Sequence, residues 1–90
     1  MMLPRINGVR HLHDYVLHLI FANGEEADLD LAGRVRGRGG VFKPLEDIAF
    51  FAQVAVDPEA HTLVWPNGVD LDPDGLYSEA TGTPLPIPTV

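Results

Sequence analysis

The chain has no cysteine, one tryptophan and one serine among its 90 residues. Without thiols, neither disulfides nor thiolate metal sites can form. The lone serine, Ser78, has no histidine at local spacing, so nothing marks a nucleophile. Cations are also scarce: six Lys and Arg stand against thirteen Asp and Glu, a formal charge of −7. That balance opposes polyanions at long range and favours a basic partner. No apolar run is long enough to span a membrane, and Met1 to Pro4 lead straight into Arg5 without the apolar core of a secretory signal. A cytoplasmic location, of bacterial type, is the resulting expectation. Ninety residues make one domain, and 46% apolar against 21% charged residues argues for a packed core.

Period-two alternation dominates the first third. Residues 5–13 read as a strand, and Tyr15, Leu17, Leu19 and Phe21 mark the buried face of a second. Glu25 to Leu31 forms a third, with Ala27, Leu29 and Leu31 inward. A two-residue loop at Asn23-Gly24 would set Leu19 against Asp28. A three-residue loop, Ala22 to Gly24, pairs Leu19 with Ala27, Leu17 with Leu29 and Tyr15 with Leu31, all apolar on one face. This register predicts a type I turn closing on a bulge, with Gly24 at positive φ.

Residues 33–40, with four glycines in eight and no period, read as a flexible loop. Pro44 then suits the first turn of a helix, whose stripe would be Leu45, Ile48, Ala49 and Ala52. Phe50 and Phe51 cannot share that stripe, so one is expected under the sheet edge or at an interface. Val54 to Val56 and His61 to Trp65 read as strands around an Asp57-Pro58 turn. Pro66 to Gly68 reverse the chain, and Asp72-Pro73 caps a helix over 73–79 anchored by Leu76 and Tyr77. Residues 81–90, rich in proline, are expected to be an extended or disordered tail beyond a 1–80 domain. The order is β-β-β-α-β-β-α: a small α+β domain of antiparallel hairpins, a partly open, barrel-like sheet with one main helix on it.

Three series of residues carry a resemblance. They are Leu17-x-Leu19-x-Phe21-x-x-Gly24, then Phe42-x-x-Leu45-x-Asp47-x-x-x-Phe51, then Trp65-Pro66-Asn67-Gly68-x-Asp70-Leu71 with Leu76-Tyr77. Over roughly residues 6–78 the chain resembles the small bacterial domain-of-unknown-function family 2442, the Trp-Pro-Asn-Gly-x-Asp element being the most specific part. The resemblance implies an α+β, partly barrel-like domain with no established activity, cofactor or catalytic residues. It also implies relatives that carry a helix-turn-helix domain afterwards or lie beside small toxin-like proteins. This chain leaves no room for a helix-turn-helix domain, so direct sequence-specific DNA binding is not expected.

Four groups of residues invite chemistry. Asp70, Asp72 and Asp74 before Gly75 match the opening of a calcium loop, yet the twelfth position is Thr81 and Pro73 stiffens the turn. We expect structural roles instead, Asp72 capping the helix, Asp74 facing its dipole and Asp70 bonding amides of the turn. Trp65, Pro66, Gly68 and Gly24 belong to the same structural class. His11 and His13, two apart on a strand, share a face and have Asp14 close by. His18 belongs to the face opposite Leu17 and Leu19, so a zinc set of three ligands is not assembled. Arg34, Arg36, Arg38 and Lys43 form the one basic stretch, able to contact a partner or an oxyanion. No cofactor, metal or catalytic residue is expected.

The leading expectation is a non-enzymatic protein-interaction module with a basic, toxin-like protein as partner and a homodimer as an option. The alternatives are a regulator binding nucleic acid or a phosphorylated ligand through residues 34–43, and a small metal-binding domain or enzyme.

Overall fold

The computed structural model describes residues 4–82. Two three-stranded antiparallel sheets share one core. The first runs β1 (Ile6–His13), β2 (Val16–Phe21), β3 (Glu26–Asp30), and the second β4 (Ala55–Val56), β5 (Leu63–Val64), β6 (Asp70–Leu71). Between them lie a one-turn helix α1 (Ala32–Val35), a 3₁₀ stretch (Gly40–Glu46) and a one-turn helix α2 (Ile48–Phe51). The nine-residue α3 (Pro73–Thr81) closes the chain. This is the expected α+β class in roughly the expected order, with an open pair of sheets and β6 as an added strand.

The β2–β3 register is the one that keeps carboxylates out of the core. Leu17 pairs with Leu29 and Leu19 with Ala27, and Leu31 N–H donates to Tyr15 O at 2.9 Å. Gly24 N–H donates to Phe21 O at 2.9 Å and Gly24 sits at φ 91°, the three-residue loop and bulge expected. The same turn recurs at Trp65-Pro66-Asn67-Gly68-Val69. Gly68 N–H donates to Trp65 O at 2.9 Å, Trp65 N–H to Val69 O at 2.9 Å, and Gly68 is at φ 89°. In both turns an asparagine carbonyl accepts the amide two residues on, Glu25 N–H to Asn23 at 3.0 Å and Val69 N–H to Asn67 at 3.3 Å.

The core unites both sheets: Ile6, Leu17, Leu19, Phe21 and Leu29 from the first meet Leu63, Trp65 and Val69 from the second. The Ile6 amide donates to His61 O at 3.0 Å, joining β1 to the loop before β5. Trp65 is buried and spends its indole N–H on Phe51 O at 2.9 Å, which anchors α2. Phe51 stacks edge-on to Tyr15 at 5.3 Å, and the Tyr15 hydroxyl donates to Glu46 O. α3 has Leu76 and Tyr77 buried, is capped by the Asp72 carboxylate accepting Asp74 N–H at 3.1 Å, and ends on Gly82 at φ 74°.

Two expectations fail between residues 33 and 52. The glycine-rich stretch contains a helical turn whose Val35 is fully buried, because Asp30 accepts the Ala32 amide at 2.9 Å and starts it. The continuous helix over 44–52 is broken at Asp47, which is extended at φ −76°, ψ 117°. Pro44 lies inside the 3₁₀ stretch, and the Asp47 carboxylate caps α2 by accepting Ala49 N–H at 3.1 Å. The stripe therefore dissolves: Leu45 and Phe51 are buried while Ile48 is 41% exposed and Ala49 and Ala52 face solvent. α3, not this segment, is the main helix. It runs to Thr81, one residue into the expected tail. Residues 83–90 of that tail lie outside the described residues.

Candidate functional site

The strand register sorts the first sheet into two faces. Gly8, Arg10 and His13 on β1, Val16, His18 and Ile20 on β2, and Glu26, Asp28 and Asp30 on β3 share the outer face. Across it run the rows Arg10–His18–Asp28 and Gly8–Ile20–Glu26. His18 is the centre: its Nδ1 lies 2.6 Å from Asp28 Oδ1 and its Nε2 2.8 Å from Glu26 Oε1. Both contacts are satisfied together when both ring nitrogens carry protons, the form two carboxylates favour. Asp28 first, and Glu26 second, raise the imidazole above its ordinary value of 6.5. A depression of about 310 Å³ lies beside it, walled by Gly8, Arg10, His18, Ile20 and Glu26. Sequence reading placed His18 on this face but did not find its two partners, which sit across the strand at 8 and 10 residues' separation.

His11 and His13 do not form a pair. The register slips between them, His11 opposing Leu17 and His13 opposing Val16, with Leu12 as the extra residue. A bulge inserts one residue and so reverses the side-chain alternation, sending the imidazoles to opposite faces. His11 packs edge-on against Phe51 at 6.0 Å and bonds Asp14 O at 2.9 Å through Nε2. His13 lies 3.2 Å from the Asp14 carboxylate at the surface.

The three aspartates likewise take separate tasks. Asp72 caps α3, Asp74 sits in its first turn, and Asp70 pairs with Val64 in β6. The turn amide of Val69 is taken by Asn67, whose side-chain carbonyl accepts it at 3.3 Å. Among the described residues no three His, Asp or Glu side chains converge to hold a metal ion. Ser78 lies half-buried within α3.

The basic stretch is divided. Arg34 folds back on α3, its Nε 3.2 Å from Glu79 Oε2 and its Nη2 donating to Gly75 O at 3.3 Å. Arg36, Arg38 and Lys43 are exposed, with the Arg38 guanidinium 5.1 Å from the centre of the Phe42 ring. Gly37, Gly39 and Gly40, at φ 74°, 69° and 55°, set the path of this segment. Asn67 Nδ2 donates to Val41 O at 3.0 Å, so the second Asn-Gly turn holds the basic segment directly. Between them lies a notch of about 310 Å³ lined by Val41, Phe42, Asn67, Gly68, Val69 and Asp70. The first Asn-Gly turn holds α3 in the same manner: Tyr77 donates to Glu25 Oε1 at 2.5 Å, and Asn23 Nδ2 lies 3.4 Å from the phenol oxygen. The Glu25 carboxylate raises the Tyr77 phenol above its ordinary value.

The family model described as "Protein of unknown function (DUF2442)" matches residues 6–82. The chain belongs to the DUF2442 family. No curated protein matches it. Among solved structures, the crystal structure of NE0471 from Nitrosomonas europaea ATCC 19718, called a "Putative DNA Binding Protein", is similar at TM-score 0.75 and 22% identity. The match covers 90% of this chain and 51% of that one, so this chain spans about half its length. At that identity the likeness establishes a common fold alone. In this DUF2442 chain the Trp-Pro-Asn-Gly element is a structural anchor, holding α2 through Trp65 and the basic segment through Asn67. No helix among the described residues is long and apolar enough to cross a membrane.

Proposed function

We propose that this DUF2442 domain is a non-enzymatic protein-interaction module whose outer sheet face receives a basic partner. The carrying observation is that face itself. Glu26, Asp28 and Asp30 stand exposed at alternate positions of β3, and Ile20, 39% exposed, lies among them. An apolar contact with a row of carboxylates along one side suits a cationic protein surface, because the charges steer the encounter and the apolar centre supplies contact area. The depressions described above are shallow and lie at the surface, a form suited to a macromolecular partner more than to an enclosed substrate. The formal charge of −7 points the same way. A small basic, toxin-like protein is the partner class this reading favours, and the cytoplasm its setting.

A pull-down from native-host lysate tests this, comparing wild type with a Glu26→Lys/Asp28→Lys/Asp30→Lys variant. The expected result is a basic protein captured by the wild type and lost with the variant. Equal capture by both would refute the assignment to this face.

A second reading rests on Arg36, Arg38 and Lys43, which could grip nucleic acid or a phosphorylated ligand. The name given to NE0471 favours it, although only the fold is common. Salt-sensitive binding of a labelled DNA or RNA oligonucleotide, lost on Arg36→Ala/Arg38→Ala substitution, is the result it requires.

A further inference from the structure

Val41 is 63% exposed, the most exposed large hydrophobic side chain among the described residues, and it borders the notch with Phe42 and Val69. Its position is held by the Asn67–Val41 hydrogen bond, and three left-handed glycines just upstream allow the chain to reach it. A preformed apolar notch loses little conformational freedom on binding, which favours a real docking role over chance exposure. Arg38, lying over the Phe42 ring, gives its rim positive charge, and Lys43, next in the chain after Phe42, is an exposed second cation.

The complement is present on the same molecule. Ile20, 39% exposed, lies on the outer sheet face opposite Glu26 and next to the Asp28 row. The Glu26 and Asp28 side chains are 55% and 60% exposed. We propose that a second copy of this chain docks its Ile20 patch, with Glu26 and Asp28, onto the Val41–Phe42–Val69 notch, so that Arg38 and Lys43 meet the carboxylates.

Charge selects this head-to-tail arrangement over a like-on-like one. Notch against notch would bring Arg38 and Lys43 towards their own copies, and sheet face against sheet face would do the same to Glu26 and Asp28. The minority charges also match in sign, since Arg10 and His18, the latter bridging Glu26 and Asp28, lie on the acidic face and Asp70 lines the notch. Because the contact is heterologous, it closes into a two-fold pair only if both contacts form at once and otherwise propagates. This goes beyond the foreign-partner reading and fails separately from it: a lysate capture tests that reading, and the mass of the pure protein tests this one. A basic partner on the Ile20 face would compete with the second copy.

Sedimentation equilibrium of the pure full chain at rising concentration tests it at about 50 mM and about 500 mM salt, since exposed ion pairs are screened over this range. Two variants are made, Arg38→Glu/Lys43→Glu and Glu26→Lys/Asp28→Lys. The expected result is a mass rising above 9.8 kDa for the wild type at low salt, and a monomer for each variant alone. Mixed one to one, the variants should associate again, because each reversed patch then faces its reversed complement. Near-ultraviolet circular dichroism and Trp65 emission like the wild type's check that both variants are folded. A wild type that stays monomeric overturns the proposal. So do variants that associate as the wild type does, or a mixture of folded variants that stays monomeric.

Discussion

Gly24 and Gly68 occupy the same position in two copies of one turn, at φ 91° and 89°. A β-carbon at either would meet nothing within 4 Å, so the cost of a side chain there is purely the left-handed backbone. Gly24→Val should therefore destabilise the fold by ~1–2 kcal/mol, measured by urea unfolding. Gly24→Asn should cost much less, because asparagine tolerates that region. His18 offers a test of a different sort. Its folded value lies above 6.5, so the stabilisation it brings is fully present below that value. It is lost as pH rises through the folded value. A proton-resonance titration should place His18 above an unperturbed histidine, and Asp28→Asn should lower it more than Glu26→Gln. His18→Gln should be less stable than wild type at pH 6, with the gap narrowing on the alkaline side.

Among the elements, the stretch from Gly40 to Phe51 departs furthest from its sequence pattern. Its spacing of apolar residues fits a helix, yet Pro44 and the extended Asp47 divide it into a 3₁₀ stretch and a single turn. Three long-range bonds fix that course: Trp65 to Phe51 O, Tyr15 to Glu46 O and Asn67 to Val41 O. Local propensity is a weak prior against such anchors. Asn67→Ala removes the bond to Val41 and the acceptor for Val69 N–H. It should cost ~1–2 kcal/mol, since each hydrogen bond is worth about 1 kcal/mol net. Amide exchange should speed up across residues 40–46 more than in β2, where the ladder is untouched. Equal protection in wild type and variant at residues 40–46 would contradict this role for Asn67. The turn after β5 and α3 are legible because their signals are local: Pro66-Asn67-Gly68 for the turn and Asp72-Pro73 for the cap. β6 was missed because two residues carry no period.

At the scale of the whole molecule, the two sheets have one core and neither has a complete one. Leu63 and Trp65 from the second pack in the same cluster as Leu17 and Leu19 from the first. The domain should unfold in one cooperative step, with far-ultraviolet circular dichroism and Trp65 fluorescence tracing the same urea transition. Leu63→Ala should lower the stability seen by both probes by ~2–4 kcal/mol. Separate transitions would mean that the second sheet melts alone. The surface follows from the same arrangement. Alternation on β3 assigns Glu26, Asp28 and Asp30 to the outer face, and that much can be read from the chain. That His18 bridges two of them depends on the cross-strand register. That the notch lies between residues 41–42 and 67–70 depends on contacts across 26 residues.

The sequence by itself determined the β2–β3 hairpin, its register, the two glycine turns and the capped last helix, together with membership of the DUF2442 family. Each of these rests on forces acting over a few residues, or on an alternation that a one-residue slip would reverse. Tertiary structure decided the split of the 40–51 segment, the separation of His11 from His13, the withdrawal of Arg34 onto Glu79 and the joining of the basic segment to the Trp65–Asp70 turn. In those places a bulge, a buried indole or an ion pair across 45 residues outweighs local preference, and no spacing along the chain records it.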